Sequence, residues 1–424
     1  MDLGEMQKEI AVMKIGGAIL KTSGDLSLVK NIVQNYCPKP TVIVFSAFSN
    51  LSRQLREIAF LARNSGLTAA TEKFSTVEQN LLQFVDSSLG STNLAAQSKS
   101  ELNSLFEEFE KILFGISVTK ELTPRTLDRV LSFGEYFSTT ILASYLKSQE
   151  IDAEFCDAKQ IIKTDSNYGM AKPIYEQTRS EVVSKLLPLL EKSNLVFMQG
   201  FIGSTTEDII TTMGFESSSL TALLIANILD AKEVIFWTDV EGIRTADPKI
   251  VDSTRLIPYL SFDYATIASL NGLKLIHPAM IDYFKMKPQT SYIYRSAFKP
   301  ENGETYIVQT TTTQPKMILV SEPCYLFENA LPENTNTLAK TKFELKSADS
   351  NLFAIEFVER FDTNQKLINI VTALNFEPKV LAEITEKKFN EIIFFLCFTE
   401  NKIAKFFVEN DKVKEFVNEL HRYI

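Results

Sequence analysis

Between residues 10 and 300 the chain alternates short runs of consecutive apolar residues with longer stretches whose apolar positions recur at helical spacing. Six runs predict strands: "IAVMKI", "TVIVFSAF", "AEFCDA", "NLVFMQGFI", "EVIFWTDV" and "TSYIYRSAF". Several are apolar at successive rather than alternate positions, as expected of strands covered by helices on both faces. The alternation predicts an α/β layer fold with a mostly parallel central sheet. From about 51 to 148 strand signal is scarce, and Leu102, Leu105, Phe106, Phe109, Ile112 and Leu113 fall on one helical stripe; a helical subdomain or lid flank is expected there. The pattern changes after "FKPENGETYIVQT", where Pro300, Asn302 and Gly303 mark a turn. The tail from about 350 ("NLFAIEFVE", "NQKLINIVTALNF", "EPKVLAEIT", "EIIFFLCFTE", "DKVKEFVNELHRYI") reads β-α-β-β-α, a small α+β sandwich without a catalytic cluster.

Composition narrows the function classes. A chain of 424 residues makes two or three domains with a sizeable core. Its 53 acidic against 44 basic residues, formally −9, offer nucleic acid no general electrostatic footprint. Cys37, Cys156, Cys324 and Cys397 lie far apart with no CxxC pair, so reduced core thiols are expected rather than a zinc knuckle or disulfide framework. The first residues lack a signal pattern and no apolar run approaches the ~20 residues of a membrane span. A cytoplasmic protein without a membrane partner is expected.

Four loops that follow strands could carry chemistry, because ligands of open α/β sheets collect beyond the carboxyl ends of strands. In "MKIGGAIL", Lys14 precedes Gly16 and Gly17, a pairing of ammonium with exposed backbone N–H groups that suits an anion and equally an ordinary turn. "VFSAFSNLSRQL" carries Ser46 and Ser52 into a helix start, where serine serves either as a cap or as an anion donor. Gly134-Glu135 interrupts an apolar helix pattern, with a glycine costing about 1 kcal/mol against alanine and a glutamate that wants a cationic partner. In "WTDVEGIRTADPK", Thr238 and Asp239 leave a buried strand and Lys249 closes a loop, either a nucleotide site or a plain turn.

Together and in this order the loops resemble those of the aspartokinases, members of the amino acid kinase superfamily. The family's K-F-G-G-T-S stands here as Lys14-Ile15-Gly16-Gly17-Ala18-Ile19, its V-S-A as Ser46-Ala47 with Ser52 beyond, its G-E as Gly134-Glu135. "QGFIGST", "WTDVEGIRTADPK", "LSFDYATIASLNGLKLIHP" and "FKPENGET" extend the match over roughly residues 12 to 310. The resemblance implies the amino acid kinase fold over 1–310 and an ACT-like regulatory region over 311–424, short enough that one ACT unit is expected to be reduced. It implies ATP-dependent phosphorylation of the L-aspartate side-chain carboxylate, on the way to lysine, threonine and methionine. Lys14 and Lys274 would flank the phosphates, Gly16 and Gly17 would donate N–H groups, and Mg²⁺ would be held by phosphate oxygens rather than by protein ligands. Thr238, Asp239, Arg244 and Lys249 would line the nucleotide site; Ser46, Ser52, Glu135 and Ser218 would face the amino acid. A homodimer with lysine or threonine as effector is implied as well.

One loop departs from the family. Where the family writes G-R-G-G-S-D-Y-T, this chain has Gly214-Phe215-Glu216-Ser217-Ser218-Ser219-Leu220-Thr221. Phe215 replaces the arginine that clamps the substrate carboxylate, and Ser219 the aspartate that organises the catalytic lysine. Three expectations follow: an aspartate kinase of impaired activity, a non-catalytic nucleotide- or amino-acid-binding paralogue with a regulatory role, or a kinase with a different acceptor.

Overall fold

The computed structural model describes residues 10–37, 40–214, 217–328, 339–346, 351–357, 367–387, 392–398 and 402–424. Along the chain these form β1 (Ala11–Ile15), a 3₁₀ turn (Gly17–Ile19), α1 (Leu26–Tyr36) and β2 (Thr41–Phe45). Four long helices follow, α2 (Leu51–Asn64), α3 (Leu67–Leu89), α4 (Asn93–Thr119) and α5 (Pro124–Ser148). Then come β3 (Glu154–Cys156), α6 (Ala158–Ile161), α7 (Tyr175–Glu181), a π turn, α8 (Leu187–Ser193), β4 (Leu195–Gln199), the hairpin β5 (Ile202–Ser204) and β6 (Ile210–Thr212), α9 (Ser218–Leu229) and β7 (Glu233–Thr238). After β8 (Tyr259–Ser261) and α10 (Phe262–Leu270) the chain continues through α11 (Met280–Met286), β9 (Ser291–Ser296) and β10 (Glu304–Val308). The tail holds β11 (Met317–Val320), β12 (Cys324–Glu328), β13 (Ala339–Lys346), β14 (Asn351–Phe357), β15 (Leu367–Leu374), α12 (Pro378–Lys387), β16 (Ile392–Phe398), β17 (Ile403–Glu409) and α13 (Val413–His421).

Two compact units result, Met1–Glu241 with Ala279–Tyr306, and Gly242–Pro278 with Ile307–Ile424. The first is built on a sheet ordered β3-β4-β2-β1-β7-β9-β10. The pairs β3/β4, β4/β2, β2/β1, β1/β7 and β7/β9 are all parallel. Each of the six predicted runs is a strand of it. Their continuous burial follows from position: β2 and β4 are buried at every residue and β7 at all but its first, as parallel strands between helical layers must be.

Between residues 51 and 148 the chain forms the four long helices α2 to α5. Helix α4 starts at Thr92, whose hydroxyl accepts the Ala95 N–H at 3.1 Å, and buries Leu102, Phe106, Phe109, Leu113 and Ile116 at steps of three and four. These meet Phe74 of α3 and Phe133 and Phe137 of α5 in an aromatic cluster, with Phe74–Phe109 centroids 4.5 Å apart and Phe106–Phe137 5.1 Å apart. Each fully buried ring contributes on the order of 1.5–3 kcal/mol through removal of apolar area from water.

The second unit contains an antiparallel sheet ordered β13-β14-β12-β15-β17-β16, with β11 also paired to β15. Helices α12 and α13 lay Leu381, Ile384, Phe416, Val417 and Leu420 on Ile318, Val371, Ala373 and Phe406. The α+β character expected of the tail holds, but its order does not. From 351 onward it runs β-β-α-β-β-α: "LINIVTAL" is strand β15, "PKVLAEITEK" is helix α12, and β17 is an additional strand. Pro378 opens α12 at its first position, where a missing N–H costs nothing, while β15 is held between β11 and β17.

Candidate active site

Because β1, β2, β4 and β7 run parallel as neighbours, their carboxyl ends open on one edge of the sheet. That edge receives Lys14 and the glycines after β1, Ser46 after β2, Gly200 after β4, and Thr238 and Asp239 after β7. Gly16 and Gly17 each answer a close approach. A Cβ on Gly16 would lie 2.7 Å from Lys14 Nζ, so the ammonium is folded over this glycine. A Cβ on Gly17 would lie 2.3 Å from the Ala47 carbonyl oxygen, so the loops after β1 and β2 pack backbone to backbone. Ammonium and bare backbone thus share one place, the combination an anion needs.

Helix α5 brings Glu135 to the β2 loop. Thr123 caps the helix, accepting the Thr126 N–H at 3.1 Å, and Pro124 follows at its first turn. Ten residues on, Gly134 lets the helix close on the loop: a Cβ there would be 3.0 Å from Ser52 Oγ and 3.3 Å from Ala47 Cβ. The interrupting glycine is therefore a packing requirement. Ser138 Oγ accepts the Phe48 N–H at 2.8 Å and donates to the Gly134 carbonyl at 2.7 Å, fixing the loop on the helix. Glu135 is 3% exposed; its Oε1 accepts the Ala47 N–H at 3.3 Å, and its Oε2 is buried with no hydrogen-bond partner among the described residues. Burial pushes its carboxyl up to about 8, opposed only weakly by the bonds it accepts. Ser46 and Ser52 stand beside it half-buried.

Ser217 caps helix α9, which opens with Ser218 and Ser219; the three are exposed by 1%, 5% and 8%. Its first turn is seated on Gly200, where a Cβ would fall 2.5 Å from Ser218 Cβ. The Ser217 hydroxyl is buried without a partner among the described residues, at the end of a twelve-residue helix whose dipole favours negative charge. Gly214, with φ 88°, makes the turn before it. Phe215 lies outside the described residues.

Thr238 Oγ1 donates to the Val240 carbonyl at 2.8 Å, and Asp239 pairs with Lys21 at 3.8 Å. Arg244, Lys249 and Lys274 belong to the second unit. Arg244 Nε donates to Thr254 Oγ1 at 2.6 Å, the Lys249 N–H donates to Asp247 Oδ1 at 2.9 Å, and Lys274 Nζ pairs with Glu322 at 2.8 Å. Among the described residues no cluster of histidine, cysteine, aspartate or glutamate could hold a metal ion, and no helix is long and apolar enough to cross a membrane.

Sequence reasoning missed Asp128. It is fully buried, accepts the N–H groups of Gly169 and Thr212 at 2.9 Å each, and takes the Thr212 hydroxyl at 2.6 Å. Desolvation raises its carboxyl above the usual range, although those three bonds oppose the rise. The signal was present: Asp128 precedes Glu135 by seven residues, two helical turns on the same face.

The amino acid kinase family model matches residues 9–294. Among relatives, lysine-sensitive aspartokinase 3 of Escherichia coli (strain K12) is 32% identical over 218 residues, 50% of this chain and 48% of that protein. The aspartokinase of Chlamydia pneumoniae is 26% identical over 453 residues, 97% of this chain and 96% of that one. The match spans about half the length of the E. coli protein and of the plant aspartokinases. The crystal structure of E. coli aspartokinase III in complex with aspartate and ADP (R-state) superposes with a TM-score of 0.80 at 20% identity, covering 98% of this chain and all of that one; the likeness is one of fold.

Proposed function

Since this chain belongs to the amino acid kinase family, we propose that it is an aspartate kinase, passing a phosphoryl group from ATP to the side-chain carboxylate of L-aspartate, with low turnover. The observation that carries the reading is Glu135: a buried carboxylate oxygen with no hydrogen-bond partner among the described residues, beside the half-buried Ser46 and Ser52, suits the ammonium group of a substrate. Its neighbours fit the other half of the chemistry, since Lys14 folded over Gly16 is suited to a phosphate. Bound ATP with Mg²⁺ would supply the phosphoryl group. Lys14 and the N–H groups of Gly16 and Gly17 neutralise anionic oxygens, the main work in a transfer with a loose transition state. Lys274 serves as the second phosphate cation, and Thr238, Asp239, Arg244 and Lys249 as nucleotide contacts. Glu135, once ionised by the approaching ammonium, fixes the amino acid, and Ser218 meets its carboxylate at the α9 N-terminus.

Low turnover follows from that helix start. Phe215 has no donor for the α-carboxylate, forfeiting charge-assisted bonds of roughly 1.5–3 kcal/mol. Ser219 brings no charge to orient Lys14, for a further loss on the order of 100-fold. In the same reading 1–310 is the catalytic domain and 311–424 an ACT-like regulatory region with one reduced unit, in a cytoplasmic homodimer responsive to lysine or threonine. Hydroxamate trapping of aspartyl phosphate tests the proposal in wild type, Phe215→Arg, Ser219→Asp and the double variant. Weak wild-type turnover, raised most in the double variant, is expected. Robust wild-type turnover with low-millimolar half-saturation refutes the impairment; ATP binding without aspartyl phosphate in all four proteins refutes aspartate as acceptor.

A further inference from the structure

The second unit contains a cavity of about 620 Å³. Part of its lining is the linker between β10 and β11, with Thr310, Thr312 and Thr313. Ile257 and Pro258, from the turn before β8, and Tyr259 at its start add an apolar portion of the lining. Arg255 stands at the rim, exposed, and its guanidinium makes no hydrogen bond or ion pair among the described residues. The other cation lining the cavity, Lys316, is engaged: its Nζ donates to the Tyr423 carbonyl at 2.9 Å and sits 5.5 Å from the Phe376 ring centre.

The backbone holds Arg255 firmly. Its N–H donates to Thr245 Oγ1 at 3.0 Å and its carbonyl accepts the Thr245 N–H at 2.9 Å. The same Thr245 hydroxyl is 3.0 Å from Nε2 of buried His421. An unengaged guanidinium fork, a run of threonines and apolar side chains in one lining suit one kind of molecule: a compact anion on an apolar body. We propose that this cavity binds a small organic anion of that kind, either the carboxylate of an apolar amino acid or the phosphate of a nucleoside monophosphate, with Arg255 as its anion clamp.

His421 provides the readout. Desolvation and the nearby Arg255 charge hold its imidazole below the usual histidine range; on its own helix Glu419 and Arg422 pair with each other at 2.6 Å. An anion on Arg255 cancels the repulsion and lets His421 titrate higher. The chain has two histidines, so a full-length sample labelled at histidine Cε1 gives two signals, assigned with a His277→Gln variant.

L-isoleucine, L-phenylalanine and AMP are titrated separately to about 10 mM, where a Kd in the millimolar range is already visible. The proposal expects a saturable shift of the His421 signal and an upward move of its titration with at least one probe. The amino acids producing it identify a carboxylate ligand, and AMP alone a phosphate ligand. Arg255→Ala should weaken binding by about tenfold or more, and Arg255→Lys, which keeps the charge without the fork, by less. No shift with any probe, or a shift that persists unchanged in Arg255→Ala, overturns the proposal. Since neither result depends on turnover, it stands or falls separately from the phosphoryl-transfer reading.

Discussion

Replacing Glu135 with glutamine separates what the residue costs the fold from what it gives the site. In the folded protein its carboxyl is raised from 4.5 to about 8, and in the unfolded chain it returns to the ordinary value. Between those two pH values the folded state holds a proton that the unfolded state has released. Stability therefore falls as pH rises through this window, by about 1.4 kcal/mol per pH unit. By pH 7 the accumulated cost is up to about 3 kcal/mol. Glutamine has the same shape, keeps an oxygen for the Ala47 N–H and never ionises. Near pH 4.5 both side chains are neutral and the two proteins should be of similar stability; at pH 7 Glu135→Gln should be the more stable, by up to about 3 kcal/mol. The assay is urea unfolding from pH 4.5 to 8, followed by the fluorescence of Trp237, the single tryptophan and fully buried in β7. Function should move the opposite way. Without a carboxylate to meet the substrate ammonium, apparent aspartate affinity should fall by roughly 10- to 100-fold, the loss of one charge-assisted bond. In wild type that affinity should rise from pH 6 to 8 as Glu135 ionises, a dependence the variant lacks. Equal pH slopes of stability in the two proteins would refute the raised, buried carboxyl, and unchanged aspartate affinity would refute its role as ammonium receptor.

Three further outcomes are expected. Gly17→Ala, with its new Cβ 2.3 Å from the Ala47 carbonyl oxygen, must push the β1 and β2 loops apart and should weaken ATP binding by about tenfold or more, by calorimetry, if backbone approach to phosphate matters. Phe137→Ala removes a fully buried ring of the aromatic cluster and should cost about 3–5 kcal/mol in urea unfolding; a loss below 1 kcal/mol would contradict the packing. Asp128→Ala strands the buried N–H of Thr212 and the half-buried N–H of Gly169 and should destabilise by about 1–3 kcal/mol, whereas Asp128→Asn, which keeps one acceptor oxygen, should recover part of the loss in the same measurement.

The sequence by itself determined the strands of the parallel sheet and the helices of 51–148. Six apolar runs without alternation have one stable environment, between two helical layers, and the stripe through Leu102, Phe106 and Phe109 has one buried side. It also determined that the loops after β1, β2 and β7 lie at the sheet's carboxyl edge, because parallel strands leave no other place for them; Gly134-Glu135, read as a fourth such loop, lies within helix α5 instead. The tail was less legible. "LINIVTAL" and "KVLAEITE" are both short and apolar enough for either period, and pairing with β11 and β17 made the first a strand while Pro378 and packing by Leu381 and Ile384 made the second a helix. Tertiary structure alone decided the electrostatics. The sequence pattern asked for a cation beside Glu135; among the described residues its side chain meets the Ala47 N–H instead, and the same burial that orders α5 leaves its other carboxylate oxygen without a partner there. Asp128, equally buried on that helix, is instead satisfied by Gly169 and Thr212 from segments 41 and 84 residues away. Spacing along a helix sets which residues share a face, whereas the partners they meet are brought by distant chain, and the protonation of a buried acid depends on those partners.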